Sequence, residues 1–216
     1  MPGVARVLVL LAALVLTLLA APAGASDAAA PDHRRWTPTH PQPETAEGYA
    51  IPVRRRVTYS VTTRGAITTS LEAFRQQAQE TYDDPRGWRA GGVEFRRVRR
   101  GGDFTLVLAA ARAVPSFSST CSSTWSCRVG RFVIINQDRW KHASPAWNAA
   151  GRSLRDYRHL VVNHETGHWL GRGHASCPPG GGRAPVMMQQ SKGTGACRFN
   201  PWPLEREAAA VRGRVG

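Results

Sequence analysis

From Arg54 to Thr63 apolar and polar positions alternate, with Val57, Tyr59 and Val61 on one side, the pattern of a half-buried strand. The period then changes. Leu71, Phe74, Ala78 and Tyr82 recur at spacings of three and four, which predicts an amphipathic helix opened by the capping box Thr69-Ser70-Leu71-Glu72 and ended by Pro85 and Gly87. Val93–Arg99 and Phe104–Ala111 read as two strands joined in a hairpin across Gly101-Gly102. Phe132, Val133, Ile134 and Ile135, inside Arg131–Gln137, form the short apolar run of a buried strand. A second capping box, Ser153-Leu154-Arg155-Asp156, opens another helix, and glycine- and proline-rich turns lead to a short helix near Leu204–Arg212. Strand, helix, three strands, helix and an irregular tail make an α+β domain, with no internal repeat.

The chain before this domain has a different character. Arg6 precedes a run from Val7 to Leu19 that is apolar apart from Thr17, and Ala23-Gly24-Ala25 then offers a small-x-small cleavage site. About 13 apolar residues suit a signal peptide over residues 1–25 better than a bilayer span, so membrane contact is expected only if this segment stays uncleaved. Residues 26–50 are rich in Ala, Pro and Thr without an apolar period, and read as a disordered linker before a domain at 51–216. The expected location is therefore secreted, extracellular or in the cell envelope.

Export changes the reading of Cys121, Cys127, Cys177 and Cys197: an even set in an oxidising compartment points to disulfides. The local pairing, Cys121–Cys127 with Cys177–Cys197, is favoured because each pair brackets a loop rich in Ser, Gly or Pro, and no CxxC pair suggests a cysteine-held metal. With 42% hydrophobic and 20% charged residues among 216, the composition excludes a wholly disordered chain, a collagen and a multi-span membrane protein. The net charge of +14 invites a nucleic-acid reading. The arginine clusters at 54–56 and 96–100, however, flank predicted strands without any helix-turn-helix, RRM or zinc-finger context, so no nucleic-acid partner is expected. Wall polymers, anionic lipids or acidic proteins are the better electrostatic partners.

The chemistry is concentrated in His164-Glu165-Thr166-Gly167-His168-Trp169-Leu170-Gly171-Arg172-Gly173-His174. On a helix, residues four apart differ by about 40° around the axis, so His164 and His168 can grip one ion. Gly171 can take the left-handed conformation that ends a helix and swing His174 back as a third ligand. Three protein ligands with one open position is the arrangement of a catalytic zinc, and Glu165 lies beside that face as the candidate general base. Elsewhere, His33 and His40 fall in the linker, and His142 and His159 lack metal-spaced partners. Asp103, Asp138 and Asp156 make no calcium loop. Trp125, Trp140 and Trp147 are candidates for a cleft wall, with core or loop packing the plainer expectation.

The eleven-residue HExxHxxGxxH pattern resembles the metzincin zinc endopeptidases. The wider text, Asn163–Gly171, Pro185–Lys192 and Asn200-Pro201-Trp202-Pro203, is similar to an uncharacterised family of secreted proteins from high-GC Gram-positive bacteria, for which no substrate is known. The first resemblance implies a zincin-like α+β fold with a small mixed sheet, an active-site helix and a methionine in a tight turn under the metal, a role open to Met187 or Met188. It implies a Zn²⁺ cofactor held by His164, His168 and His174, with Glu165 activating a zinc-bound water. Two features depart from the pattern. Gln189 or Gln190 stands where several metzincins carry a helper tyrosine, and no cysteine lies between Ser26 and Phe117 to act as a latency switch, leaving Asp27 or Asp32 as weaker caps.

The function expected on these grounds is a secreted, monomeric, zinc-dependent endopeptidase acting on a peptide or protein, acidic or envelope-associated, that pairs with an edge strand at Phe104–Ala111. The alternatives are an inactive, zinc-stabilised envelope-binding module and a peptidoglycan-directed zinc amide hydrolase.

Overall fold

The computed structural model describes residues 51–214; the expected signal peptide and linker, with His33, His40, Asp27 and Asp32, lie outside the described residues. A five-stranded sheet carries the domain, built from β1 (Arg55–Arg64), β2 (Val93–Arg97), β3 (Phe104–Ala109), β4 (Cys127–Val129) and β5 (Phe132–Asn136) in the order β2-β1-β3-β5-β4. Only β4 runs antiparallel, so the domain is mixed αβ on a small mixed sheet. Side chains alternate across it. Val57, Tyr59, Leu106, Leu108, Val133 and Ile135 join the main core with residues of α1 (Leu71–Asp83) and α4 (Leu154–Trp169). Val107, Ala109 and Ile134 point the other way, into a smaller cluster with Val114 and Cys121. Each fully buried Val, Leu or Ile contributes roughly 1.5–3 kcal/mol, and the Tyr59–Phe104 and Tyr82–Phe95 ring pairs (centroids 5.4 and 4.4 Å apart) lock the centre.

The sheet corrects two expectations. β2 and β3 do not form a hairpin: both run parallel to β1 on opposite sides, with Tyr59 in register with Arg97 on one side and Phe104 on the other. Gly101 and Gly102 instead let the chain cross β1 closely, since a Cβ on Gly102 would lie 2.9 Å from the Thr58 carbonyl oxygen. Asp103 fastens the crossing by accepting from the Thr58 backbone N–H at 2.7 Å. The second correction is that β3 is an interior strand that ends at Ala109, so Phe104–Ala111 offers no free edge. The edges are β2 and β4.

The helices follow their local signals closely. Ser70, not Thr69, caps α1, accepting from the Ala73 N–H, and Ser153 caps α4 by accepting from the Asp156 N–H. Two short helices with no clear periodicity, α2 (Gln137–His142) and α3 (Pro145–Ala149), are capped by Asn136 and Ser144. They insert Trp140 and Trp147 into the core, which removes both from any cleft wall. Beyond α4 come the short strands β6 (Gly182–Arg183) and β7 (Cys197–Arg198), then α5 (Glu205–Arg212). Among the described residues no helix is long and apolar enough to cross a membrane.

His159, buried on α4, meets the Thr81 hydroxyl at 2.8 Å while that hydroxyl donates to the Gln77 carbonyl, so the His159 Nδ1–H is the donor. Burial, and secondarily Arg155, push its pKa from 6.5 down to about 4, against the opposing pull of Asp156, Asp84 and Glu80. The unfolded chain therefore takes up this proton first as pH falls. Stability present above pH 6.5 is lost progressively down to about pH 4. Urea denaturation should show wild type losing about 3 kcal/mol more than His159→Gln between pH 7 and 4. Equal losses in the two proteins would contradict this assignment.

Candidate metal centre

α4 presents His164 and His168 one turn apart, with ring centroids 4.8 Å from each other. The helix stops in a Schellman motif: the Arg172 N–H bonds the Gly167 carbonyl and the Gly171 N–H bonds the His168 carbonyl. Gly171 has φ +80°, a backbone conformation that costs glycine little. The reversed chain brings the His174 ring to 4.6 Å from that of His168, and the Ala175 N–H then bonds the Met187 carbonyl at 3.0 Å.

The three Nε2 atoms converge, with His168 at 3.2 Å from His164 and 3.1 Å from His174. Nδ1 of His164 faces the Val186 carbonyl and Nδ1 of His168 faces the Arg172 carbonyl, each at 2.8 Å. A carbonyl can only accept, so both Nδ1 atoms carry the proton, and in the neutral rings that burial favours both Nε2 atoms are bare lone pairs. The 3.2 Å approach of these two nitrogens is therefore not a hydrogen bond; it brings two acceptors together, which a shared cation would relieve. A tetrahedral ion bonded to nitrogen at about 2.0–2.1 Å would separate its ligands by about 3.3 Å, and three imidazoles suit a metal of the zinc class. Burial pushes His164 down to about 3 and also lowers His168 and His174, which favours the neutral form that ligates.

Support for this cluster comes from below. Pro185–Met188 is a tight turn closed by the Met188 N–H and the Pro185 carbonyl at 3.0 Å. Met187 is 1% exposed and packs under α4 at Gly167, where a Cβ would lie 2.3 Å from its sulfur and 2.7 Å from the Trp88 ring. Met188 instead lines the cleft above. Gln190 is committed to structure, its amide nitrogen donating to the Pro185 and Asn200 carbonyls and its oxygen accepting from the Asn200 N–H. That leaves Gln189 as the cleft-facing member of the pair at the departed tyrosine position.

A cleft of about 360 Å³ opens over the histidines. Glu165, 6% exposed, lines it, and burial pushes its carboxyl up to about 8, with Arg128 pulling the other way. A cation bound nearby would likewise favour the ionised form. One wall is the loop into β4, where Cys121–Cys127 forms a disulfide and Trp125 faces the cleft. The Cys177–Cys197 disulfide ties the loop after His174 to β7. Arg128 on β4, whose guanidinium donates to the His168 carbonyl, and Lys192 add positive charge to the cleft lining.

Sequence reasoning missed Gly167, Arg128 and Tyr157 as parts of this site. Gly167 had a signal, since a glycine inside a helix costs about 1 kcal/mol and calls for a packing reason. Tyr157 reads as a core residue of the helix and is one, yet its hydroxyl reaches the Ser191 hydroxyl at 2.8 Å on the cleft floor. Arg128 had none.

Residues 39–196 match the model of a family described as protein of unknown function (DUF3152), and the chain belongs to that family. No curated protein matches the sequence.

Close packing at Gly167 makes a direct prediction. Although alanine is the better helix former, Gly167→Ala should destabilise the metal-free protein by about 1–3 kcal/mol in urea denaturation, because Met187 and Trp88 must move. A variant as stable as wild type would refute the tight approach of the turn to the helix.

Proposed function

We propose that this member of the DUF3152 family is an exported, zinc-dependent endopeptidase of the metzincin type. The observation that carries the reading is the convergence of the His164, His168 and His174 ε-nitrogens in a cleft that also holds the buried Glu165. The antiparallel edge strand beside an active-site helix, and the Met187 turn packed beneath it, support the finer fold assignment. Disulfides in both loops that frame the cleft suit an oxidising compartment, in keeping with a signal peptide at 1–25.

Zinc held by His164, His168 and His174 would supply Lewis acidity, acidifying a water and polarising the scissile carbonyl. Glu165 accepts the proton of the attacking water and returns it to the leaving amide nitrogen. β4 leaves one edge unpaired next to the cleft, and an extended peptide adds to it through backbone hydrogen bonds. Arg128 and Lys192 flank that path, so acidic side chains near the scissile bond are favoured.

Two measurements test this. Glu165→Gln should retain the metal while peptide hydrolysis falls by roughly 10²–10⁴-fold; undiminished hydrolysis in that variant would sink the mechanism. In cleavage profiling on a peptide library, the wild type should prefer acidic residues, and Arg128→Gln or Lys192→Gln should each reduce that preference about 2- to 5-fold. Cleavage of wall cross-bridges but of no linear peptide would move the substrate to peptidoglycan. Wall binding with no cleavage at all would identify a binding module.

A further inference from the structure

Glu207 lies on α5, only 4% exposed, with its carboxylate directed away from solvent and into the metal site's support. Its Oε1 accepts from the Met187 N–H at 2.9 Å, and its Oε2 accepts from the Val186 N–H at 2.9 Å and the Leu204 N–H at 2.8 Å. All three partners are donors, so both oxygens act as acceptors, as those of an ionised carboxylate do. The Met187 N–H and the Val186 C=O are the two ends of one planar peptide. On the far end of that peptide, the Val186 oxygen accepts from Nδ1 of His164 at 2.8 Å.

We propose that Glu207 is a positioning residue for the metal, acting through a carboxylate–peptide–histidine relay. The negative charge on the N–H end of the 186–187 peptide polarises its carbonyl, and the carbonyl in turn takes a stronger hydrogen bond from the His164 Nδ1–H. That fixes the ring and raises the donor strength of the opposite nitrogen, Nε2, towards the metal. A carboxylate bonded directly to a ligating histidine does the same; here one peptide group stands between them. Because Glu207 also caps α5 through Leu204, the C-terminal helix becomes part of the metal site although it supplies no ligand. Pro185–Met188 is thereby held by charge as well as by the packing of Met187.

His168 provides an internal control. Its Nδ1–H bond is the same length, 2.8 Å, but its acceptor is the Arg172 carbonyl, which has no carboxylate on its peptide among the described residues. The inference rests on the histidines binding zinc, and neither of the following readouts involves hydrolysis. In the zinc-loaded full chain labelled with ¹⁵N at histidine, the His164 Nδ1–H proton resonance should lie downfield of the His168 resonance. Glu207→Gln keeps the side-chain size but turns a donor towards the backbone N–H groups. It should raise the zinc Kd by about 10–100-fold in competition with a chelating indicator, and move the His164 resonance upfield while the His168 resonance stays.

An unchanged Kd in a folded variant, or equal movement of both resonances as in general loosening, would overturn the relay. If the variant does not fold, the wild-type spectrum decides: a His164 resonance level with or upfield of His168 overturns it. A chain that binds zinc as described but cleaves nothing refutes the peptidase and leaves the relay standing, whereas a wild-type chain that binds no zinc overturns both.

Discussion

Two ε-nitrogens with no proton between them are held 3.2 Å apart in the lining of the cleft, and a third completes the cluster. Left alone, facing lone pairs repel. The surrounding structure is arranged to keep them facing all the same. The Val186 and Arg172 carbonyls set the His164 and His168 tautomers, and the ring orientations follow from those two hydrogen bonds. A cation at the shared focus, as proposed above, would convert the repulsion into ligation by His164, His168 and His174.

The sheet supplies the rigidity. Leu106, Leu108, Val133 and Ile135 hold α4 against one face, so the two helical histidines stand on a packed element. The remaining parts are held by local devices: a Schellman turn for His174, the close approach of Met187 and Trp88 at Gly167, and a disulfide in each loop that frames the cleft. β4 sits at the sheet's margin and brings Arg128 to the His168 carbonyl, joining the cleft wall to the end of the helix.

How much of this was legible in the sequence depended on how local each cause was. The Ser153 cap, the α4 histidines and the turn at Gly171 are set within a few residues of themselves, and their placement follows directly from spacing. Strand pairing is not local. Gly101-Gly102 carries the marks of a hairpin, yet Phe104 pairs beside Tyr59 on the far side of β1, and the glycines serve a crossing instead. β4 is three residues that begin where a disulfide-closed loop ends, too short for any alternation to register. Glu207 carries no local signal of its role, and only the packing of α5 against the rest of the domain makes it a buried acceptor for the Val186 and Met187 N–H groups.

X-ray absorption at the zinc edge of the purified full chain addresses the central claim most directly. The proposed centre predicts one zinc per chain, with imidazole backscattering from three nitrogens at about 2.0–2.1 Å and one further light-atom ligand. A preparation supplied with zinc that retains no stoichiometric metal, or one whose zinc shows sulfur ligands or no imidazole signature, would contradict it.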